Sequence, residues 1–215
     1  MSLLPLFPLG SALLPGAPLP LQIFEPRYVV LLRDLLANRD TNPVFGVVGI
    51  RHGFEVGERE NDVYDVGCTA VVDQIGEIGD GIFALMATGG RRFRLDGLVE
   101  DTPTPYTVGA VSYLDERLGD PGHTAAISSK LTVAIRDYRA RRGMLPSEPP
   151  ADPTGLSYWA ARALDLAPAD AQLLLASPDT ATRLGVALRM VQRETALEAR
   201  LGVMGTLPGG PPSLN

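Results

Sequence analysis

The sequence predicts an α+β chain in which a β-barrel lobe comes first and a helical bundle with a long C-terminal helix follows. Three observations predict it. Between Val44 and Tyr113, short runs rich in β-branched and aromatic residues alternate with glycine turns, a rhythm that favours a closed or partly closed barrel over a βαβ sheet. Beyond about residue 118 the apolar residues recur at three and four positions, which gathers them on one helical face. The last of these stripes, Leu184, Leu188 and Val191, belongs to a helix running to about Leu201, roughly 35 Å long at 1.5 Å per residue.

The first lobe, residues 1–117, opens on an apolar segment punctuated by proline, which removes a backbone donor and blocks helix propagation. Leu3–Phe7 is predicted as a short edge strand and Leu19–Ile23 as a second extended segment. Pro26 suits the first turn of an early helix, with Glu25 near its cap and Val29, Leu32, Leu35 and Leu36 as its stripe. Residues 38–43 end that helix. Strands are then expected at Val44–Ile50, Tyr64–Asp73, Ile82–Thr88, Arg91–Leu98 and Tyr106–Tyr113. Gly89-Gly90 reads as the tight turn of a hairpin between two of them.

The second lobe, residues 118–202, begins with a helix over Thr124–Arg141 that places Ile127, Leu131, Ile135 and Tyr138 together. A proline-rich stretch, residues 145–153, reads as a mobile loop or spacer. Short helices follow at Leu156–Leu166 and Ala169–Leu175. Ser177-Pro178 supplies an N-cap and a first helical residue for the last helix. Residues 203–215 are rich in proline and glycine and are expected to be a disordered tail. No internal repeat is visible. Each lobe alone is small, so close packing between them is expected.

Composition bounds the chemistry. The 215 residues carry a net charge of −6, from 19 basic and 25 acidic side chains. That balance argues against nucleic-acid or anionic-membrane partners, although Arg91, Arg92 and Arg94 can make a small basic patch. The N-terminus lacks the basic start and unbroken apolar core of a signal peptide, and no apolar run is long enough to span a bilayer. A cytoplasmic location is therefore expected. Cys68, the single cysteine, lies in an apolar run and reads as a small buried side chain. His52 and His123, the two histidines, stand far apart, so no metal centre is predicted. Glu58, Glu60, Asp62 and Asp65 read as a solvated loop beside a strand. No Gly-x-x-x-x-Gly-Lys-Ser/Thr loop occurs, and Lys130 beside Ser128 and Ser129 has no context that would activate a dyad. No catalytic residue, cofactor or metal is expected.

The order Leu4-Pro5-Leu6-Phe7-Pro8-Leu9, Leu14-Pro15-Gly16 and Leu19-Pro20-Leu21-Gln22-Ile23-Phe24-Glu25-Pro26-Arg27-Tyr28 resembles the signature of the Lon protease N-terminal, substrate-binding domain family. The resemblance continues through Phe45-Gly46-Val47-Val48, Cys68-Thr69-Ala70, Gly89-Gly90-Arg91-Arg92-Phe93-Arg94-Leu95, Pro105-Tyr106 and Leu156-Ser157-Tyr158-Trp159. It implies a PUA-like β-barrel followed by helices, in a stand-alone member without the ATPase and protease domains. The function it implies is a non-catalytic module, an adaptor or regulator, that binds unfolded or flexible polypeptide or a specific protein partner. A small-molecule or peptide-binding sensor is the alternative. Candidate binding residues are Glu25, Arg27, Tyr28, Phe54, Tyr158 and Trp159. Glu25 can equally cap the early helix, and Arg27 or Tyr28 can tie that helix to the barrel. Oligomeric state is not legible.

Overall fold

The computed structural model describes residues 2–37, 43–52, 62–79, 81–145, 147–164 and 166–204, with side chains to residue 200. In chain order the elements are β1 (Ser2–Leu9), β2 (Pro18–Ile23), α1 (Pro26–Ala37), β3 (Val44–His52), β4 (Asp62–Val63), β5 (Val66–Gly79), β6 (Ile82–Leu98), β7 (Val108–Tyr113), α2 (Pro121–Arg141), α3 (Pro153–Arg162), α4 (Pro168–Leu175) and α5 (Thr180–Met204). Phe54, Glu58, Glu60 and the expected disordered tail lie outside the described residues, apart from the end of α5.

The expected PUA-like β-barrel is corrected by the strand pairing. The strands form one seven-stranded mixed sheet in the order β1-β7-β6-β5-β3-β4, with β2 off that path on β6. β1 has two partners: Ser2–Pro5 runs antiparallel to β7, and Leu6–Leu9 runs parallel to β3. Pro5 stands where one ladder gives way to the other, a place that tolerates a missing N–H.

The departure from short, even strands has a local cause. Gly89-Gly90 is not a hairpin turn but lies inside β6, a continuous strand of 17 residues. One half of β6 (Phe83–Thr88) pairs with β2, and the other (Phe93–Leu98) pairs with β7. The true hairpin turn joins β5 to β6, where Gly79 and Gly81 hold positive φ of 126° and 77°. Glycine at 89 and 90 serves close approach instead. A Cβ on Gly89 would lie 2.1 Å from the Leu14 carbonyl oxygen, and one on Gly90 would lie 2.6 Å from Thr69 Oγ1.

Two helices start where aspartate precedes proline. Asp120 accepts from the His123 N–H at 2.7 Å to open α2, and Asp152 accepts from the Gly155 N–H at 2.6 Å to open α3. For α5 the expected Ser177-Pro178 start is displaced: the helix begins at Thr180, and Asp179 accepts from the Thr182 N–H at 2.7 Å. Ser177 Oγ turns back to donate to the Leu173 carbonyl at 2.9 Å. Both residues can cap, and the carboxylate two positions nearer the helix takes the role.

One cluster of buried residues runs from the sheet (Phe7, Phe45, Leu85) through α1 (Leu31, Leu32) into the helices (Leu131, Ile135, Leu174, Leu184). Leu4, Leu6, Val48, Phe93 and Val111 form a second cluster within the sheet lobe. Burying each of these side chains is worth about 1.5–3 kcal/mol. Among the described residues no helix is long and apolar enough to cross a membrane.

Candidate functional site at the junction of sheet and helices

A charged network sits where the sheet meets the helices, its two arginines buried and its carboxylate about a third exposed. Arg92 of β6 is 2% exposed and Arg183 of α5 is 0% exposed. Both turn to Glu116, on the irregular segment between β7 and α2. Glu116 Oε1 accepts from Arg92 Nε at 2.7 Å and from the Tyr158 hydroxyl at 2.8 Å, and Oε2 accepts from Arg183 Nη2 at 2.6 Å. Arg183 Nε donates to Ser157 Oγ at 2.9 Å, while its guanidinium carbon lies 4.0 Å from the centre of the Tyr158 ring. Arg92 Nη1 donates to the carbonyls of Leu175 and Ser177 at 2.8 and 2.7 Å. It thereby satisfies oxygens that the end of α4 leaves without helical partners.

These contacts set the protonation states. Burial alone would raise the Glu116 carboxyl, but the Tyr158 hydrogen bond, the Arg183 charge and the hydrogen bonds from both arginines outweigh it and hold it below its ordinary value. Burial, partly opposed by the arginine charges, pushes the Tyr158 hydroxyl up, so it remains a donor. Because the folded carboxyl titrates below its unfolded value, its stabilisation is fully present above the unfolded value of 4.5 and is lost as pH falls through the folded one. Urea unfolding as a function of pH is therefore expected to show an acid-side loss of stability below about pH 4.5 that Glu116→Gln flattens. An unchanged acid limb in the variant would show that other carboxylates govern it.

Beside the network lies a groove of about 450 Å³. Its walls include Gly16 from the β1–β2 loop, Arg91 and Arg92 from β6, Glu116, and Tyr158 and Arg162 from α3. Arg162 Nη1 donates to the Gly16 carbonyl at 2.8 Å, joining α3 to the β1–β2 loop. The Arg91 guanidinium sits 4.4 Å from the centre of the Tyr113 ring. The lining thus combines apolar surface, the arginines, the carboxylates of Asp115, Glu116 and Asp152, and backbone groups, with Arg92 and Tyr158 held rigid from behind.

The structure places the sequence-predicted residues in three settings. Tyr158 is buried in the network and lines the groove, and Trp159, its neighbour, is half-buried against the main core. Glu25, Arg27 and Tyr28 sit at the start of α1 and do not line the groove. The Glu25 backbone carbonyl accepts from the Tyr28 and Val29 N–H groups at 3.0 Å, and its carboxylate pairs with Arg27 at 2.9 Å. Tyr28 is buried and stacks on Phe7 with ring centres 4.1 Å apart. Phe54 lies outside the described residues.

Other reactive groups are inert in this arrangement. Cys68 is buried, and desolvation pushes its thiol up to about 12. Ser129 Oγ donates to the Ala125 carbonyl at 3.1 Å, within the helix that carries the exposed Lys130. Among the described residues no group of three or more His, Cys, Asp or Glu side chains is placed to hold a metal ion.

Sequence reasoning missed Arg92, Glu116 and Arg183. One signal was there for Arg183: it falls among Thr180, Leu184, Ala187 and Val191, the buried face of α5, where an arginine requires a partner. Arg92 was read as part of a small basic patch with Arg91 and Arg94, yet both it and its neighbour Phe93 are buried.

The sequence and fold match known proteins. The family model for the ATP-dependent protease La (LON) substrate-binding domain matches residues 3–193. The chain is 32% identical over 140 residues to Lon protease 4 of Sorangium cellulosum (strain So ce56), covering 65% of this chain and 17% of that protein. It is 26% identical over 201 residues to a Lon protease of Anaeromyxobacter dehalogenans (strain 2CP-C), covering 90% of this chain and 23% of that protein. The chain thus spans less than a quarter of the length of either relative. Among solved structures it is similar to a Lon N-terminal domain protein from Xanthomonas campestris, with 26% identity, a TM-score of 0.64 and coverage of 88% and 98% of the two chains. The N-terminal domain of a Mycobacterium avium complex Lon protease shares the fold at 18% identity, with a TM-score of 0.65 and coverage of 89% and 98%. What is matched is the substrate-binding domain and not a catalytic one. The chain belongs to the Lon protease substrate-binding domain family.

Proposed function

We propose that the chain binds unfolded or flexible polypeptide segments, as an adaptor or regulator, and that the groove between sheet and helices receives them. The observation that carries this reading is the groove's lining: arginine donors, carboxylate acceptors and apolar surface on a largely fixed wall, about 450 Å³ in extent. A space of that size admits a few residues of extended chain and excludes a folded domain. Arginine donors suit peptide carbonyls and acidic side chains, and a rigid wall lowers the entropy lost on binding. A bacterial cytoplasm is the compartment this reading implies.

A labelled, permanently unfolded polypeptide is expected to bind saturably, and its folded counterpart much more weakly. Arg91→Glu, on the exposed rim of the groove, should weaken that binding about tenfold by placing a like charge against carbonyls and carboxylates. Equal affinity for folded and unfolded forms, or none, would sink the proposal. A second reading, a small-molecule or peptide sensor, draws on the same volume, which falls within the range of small-ligand sites. Native mass spectrometry separates the two: a stoichiometric bound molecule in the purified protein favours the sensor.

A further inference from the structure

The far half of β5 leaves one side of its backbone open. From Cys68 to Val71 the strand lies between β3 and β6, and the Val72 N–H donates to the Pro43 carbonyl at 3.0 Å. Beyond that point β6 is its sole strand partner among the described residues, so the other edge of residues 73–79 presents an unpaired row of backbone N–H and C=O groups. Pairing with β6 is regular from Gln74 to Glu77, with a bulge on either side. No proline interrupts the segment, and Ile78 on it is 58% exposed. An open edge of this kind takes up an extended segment as an added strand, because its alternating donors and acceptors match that backbone conformation.

The outer edge of β2 is closed to this use. The Gly89 N–H donates to the Ala17 carbonyl at 2.9 Å, so in the antiparallel ladder Leu19 and Leu21 turn their backbone groups to β6, and Pro18 and Pro20 turn theirs outward. Proline has no N–H to offer there. On β5 the selection is made by charge instead. Residues 60–90 include six aspartates and glutamates and no lysine or arginine, although the chain has 19 basic residues. Two of these carboxylates, Asp73 and Glu77, stand exposed on the open strand, Asp73 also accepting from the Thr88 hydroxyl at 2.6 Å. A second copy laid along the edge would set the same carboxylates against one another, which disfavours self-pairing. A strand bearing lysine or arginine would meet them with opposite charge.

We propose that the open edge of β5 binds an extended, lysine- or arginine-bearing segment of a partner protein as an added strand. None of residues 73–79 lines the groove between sheet and helices, so the two sites can fail separately. The test uses the full chain and a fluorescein-labelled peptide of alternating lysine and valine, read by fluorescence anisotropy. One control is the glutamate–valine peptide. The other is the lysine–valine peptide N-methylated at every residue, which keeps the charge and removes every backbone donor. The first peptide should bind saturably, and both controls at least about tenfold more weakly. Glu77→Lys, at an exposed position, should weaken binding about tenfold while leaving the circular dichroism spectrum and Arg91-dependent polypeptide binding unchanged. Equal binding of the N-methylated peptide would reduce the effect to charge attraction and overturn the added strand. Equal binding of the glutamate–valine peptide, or no effect of Glu77→Lys, would overturn it too. So would a dimer in sedimentation that the lysine–valine peptide dissociates, since the edge would then belong to a second copy.

Discussion

Glu116→Ala is expected to lower the unfolding free energy by about 2 kcal/mol, less than the cost of breaking a fully buried pair because the Glu116 side chain is 35% exposed. The reason lies in the two arginines. Arg183 is 0% exposed and Arg92 2% exposed, and among the described ion pairs each has Glu116 as its carboxylate. Removing it takes the carboxylate from two buried guanidiniums and leaves the Tyr158 hydroxyl without its acceptor. Arg183→Met added to Glu116→Ala should recover part of the loss, because one uncompensated charge leaves with it. Urea midpoints at neutral pH, with the slope unchanged, measure both effects. A loss below about 1 kcal/mol for the single variant would mean that water already carries the charge.

Gly89→Ala should cost at least about 3 kcal/mol, more than most overpacking substitutions. The new methyl would meet the Leu14 carbonyl oxygen at 2.1 Å, and that atom is backbone with no rotamer to yield. The loop it would push is tied to the same glycine twice, by Gly16 N–H to the Gly89 carbonyl at 2.8 Å and by Gly89 N–H to the Ala17 carbonyl at 2.9 Å. Because Gly16 also lines the groove, polypeptide binding should fall along with stability. Gly97, in the same strand, has nothing within 4 Å of its Cβ position, and Gly97→Ala should change stability by no more than about 0.5 kcal/mol. Similar thermal unfolding of the two variants would refute a contact role for Gly89.

Much of the fold was legible because its signals are local. Proline excluded helix from the first segment, α1 begins at the predicted Pro26, and the three-and-four spacing located α2 and α5. The misreadings came from glycine and from pairing. A glycine pair at a turn and one under a crossing backbone look alike in sequence, so β6 was broken in two and short strands were closed into a barrel. Tyr158 was found among the site candidates, but its partners were not. Arg92, Glu116 and Arg183 lie on three different elements, and nothing in their own neighbourhoods says that they meet.

The split pairing of β1 has a consequence for how the chain acquires its fold. Leu3 is opposite Ala110 and Leu4 is opposite Gly109, so the first residues of the chain pair with strand residues more than a hundred positions away. Forming such a ladder means closing a long loop before any hydrogen bond repays the entropy. The parallel half, Leu6–Leu9 against Gly46–Gly49, closes a much shorter one. β1 is thus half anchored by the shorter closure, while Ser2–Pro5 waits for β7. By loop length, the Ser2–Pro5 ladder is expected among the last contacts to form and the β5–β6 hairpin among the first.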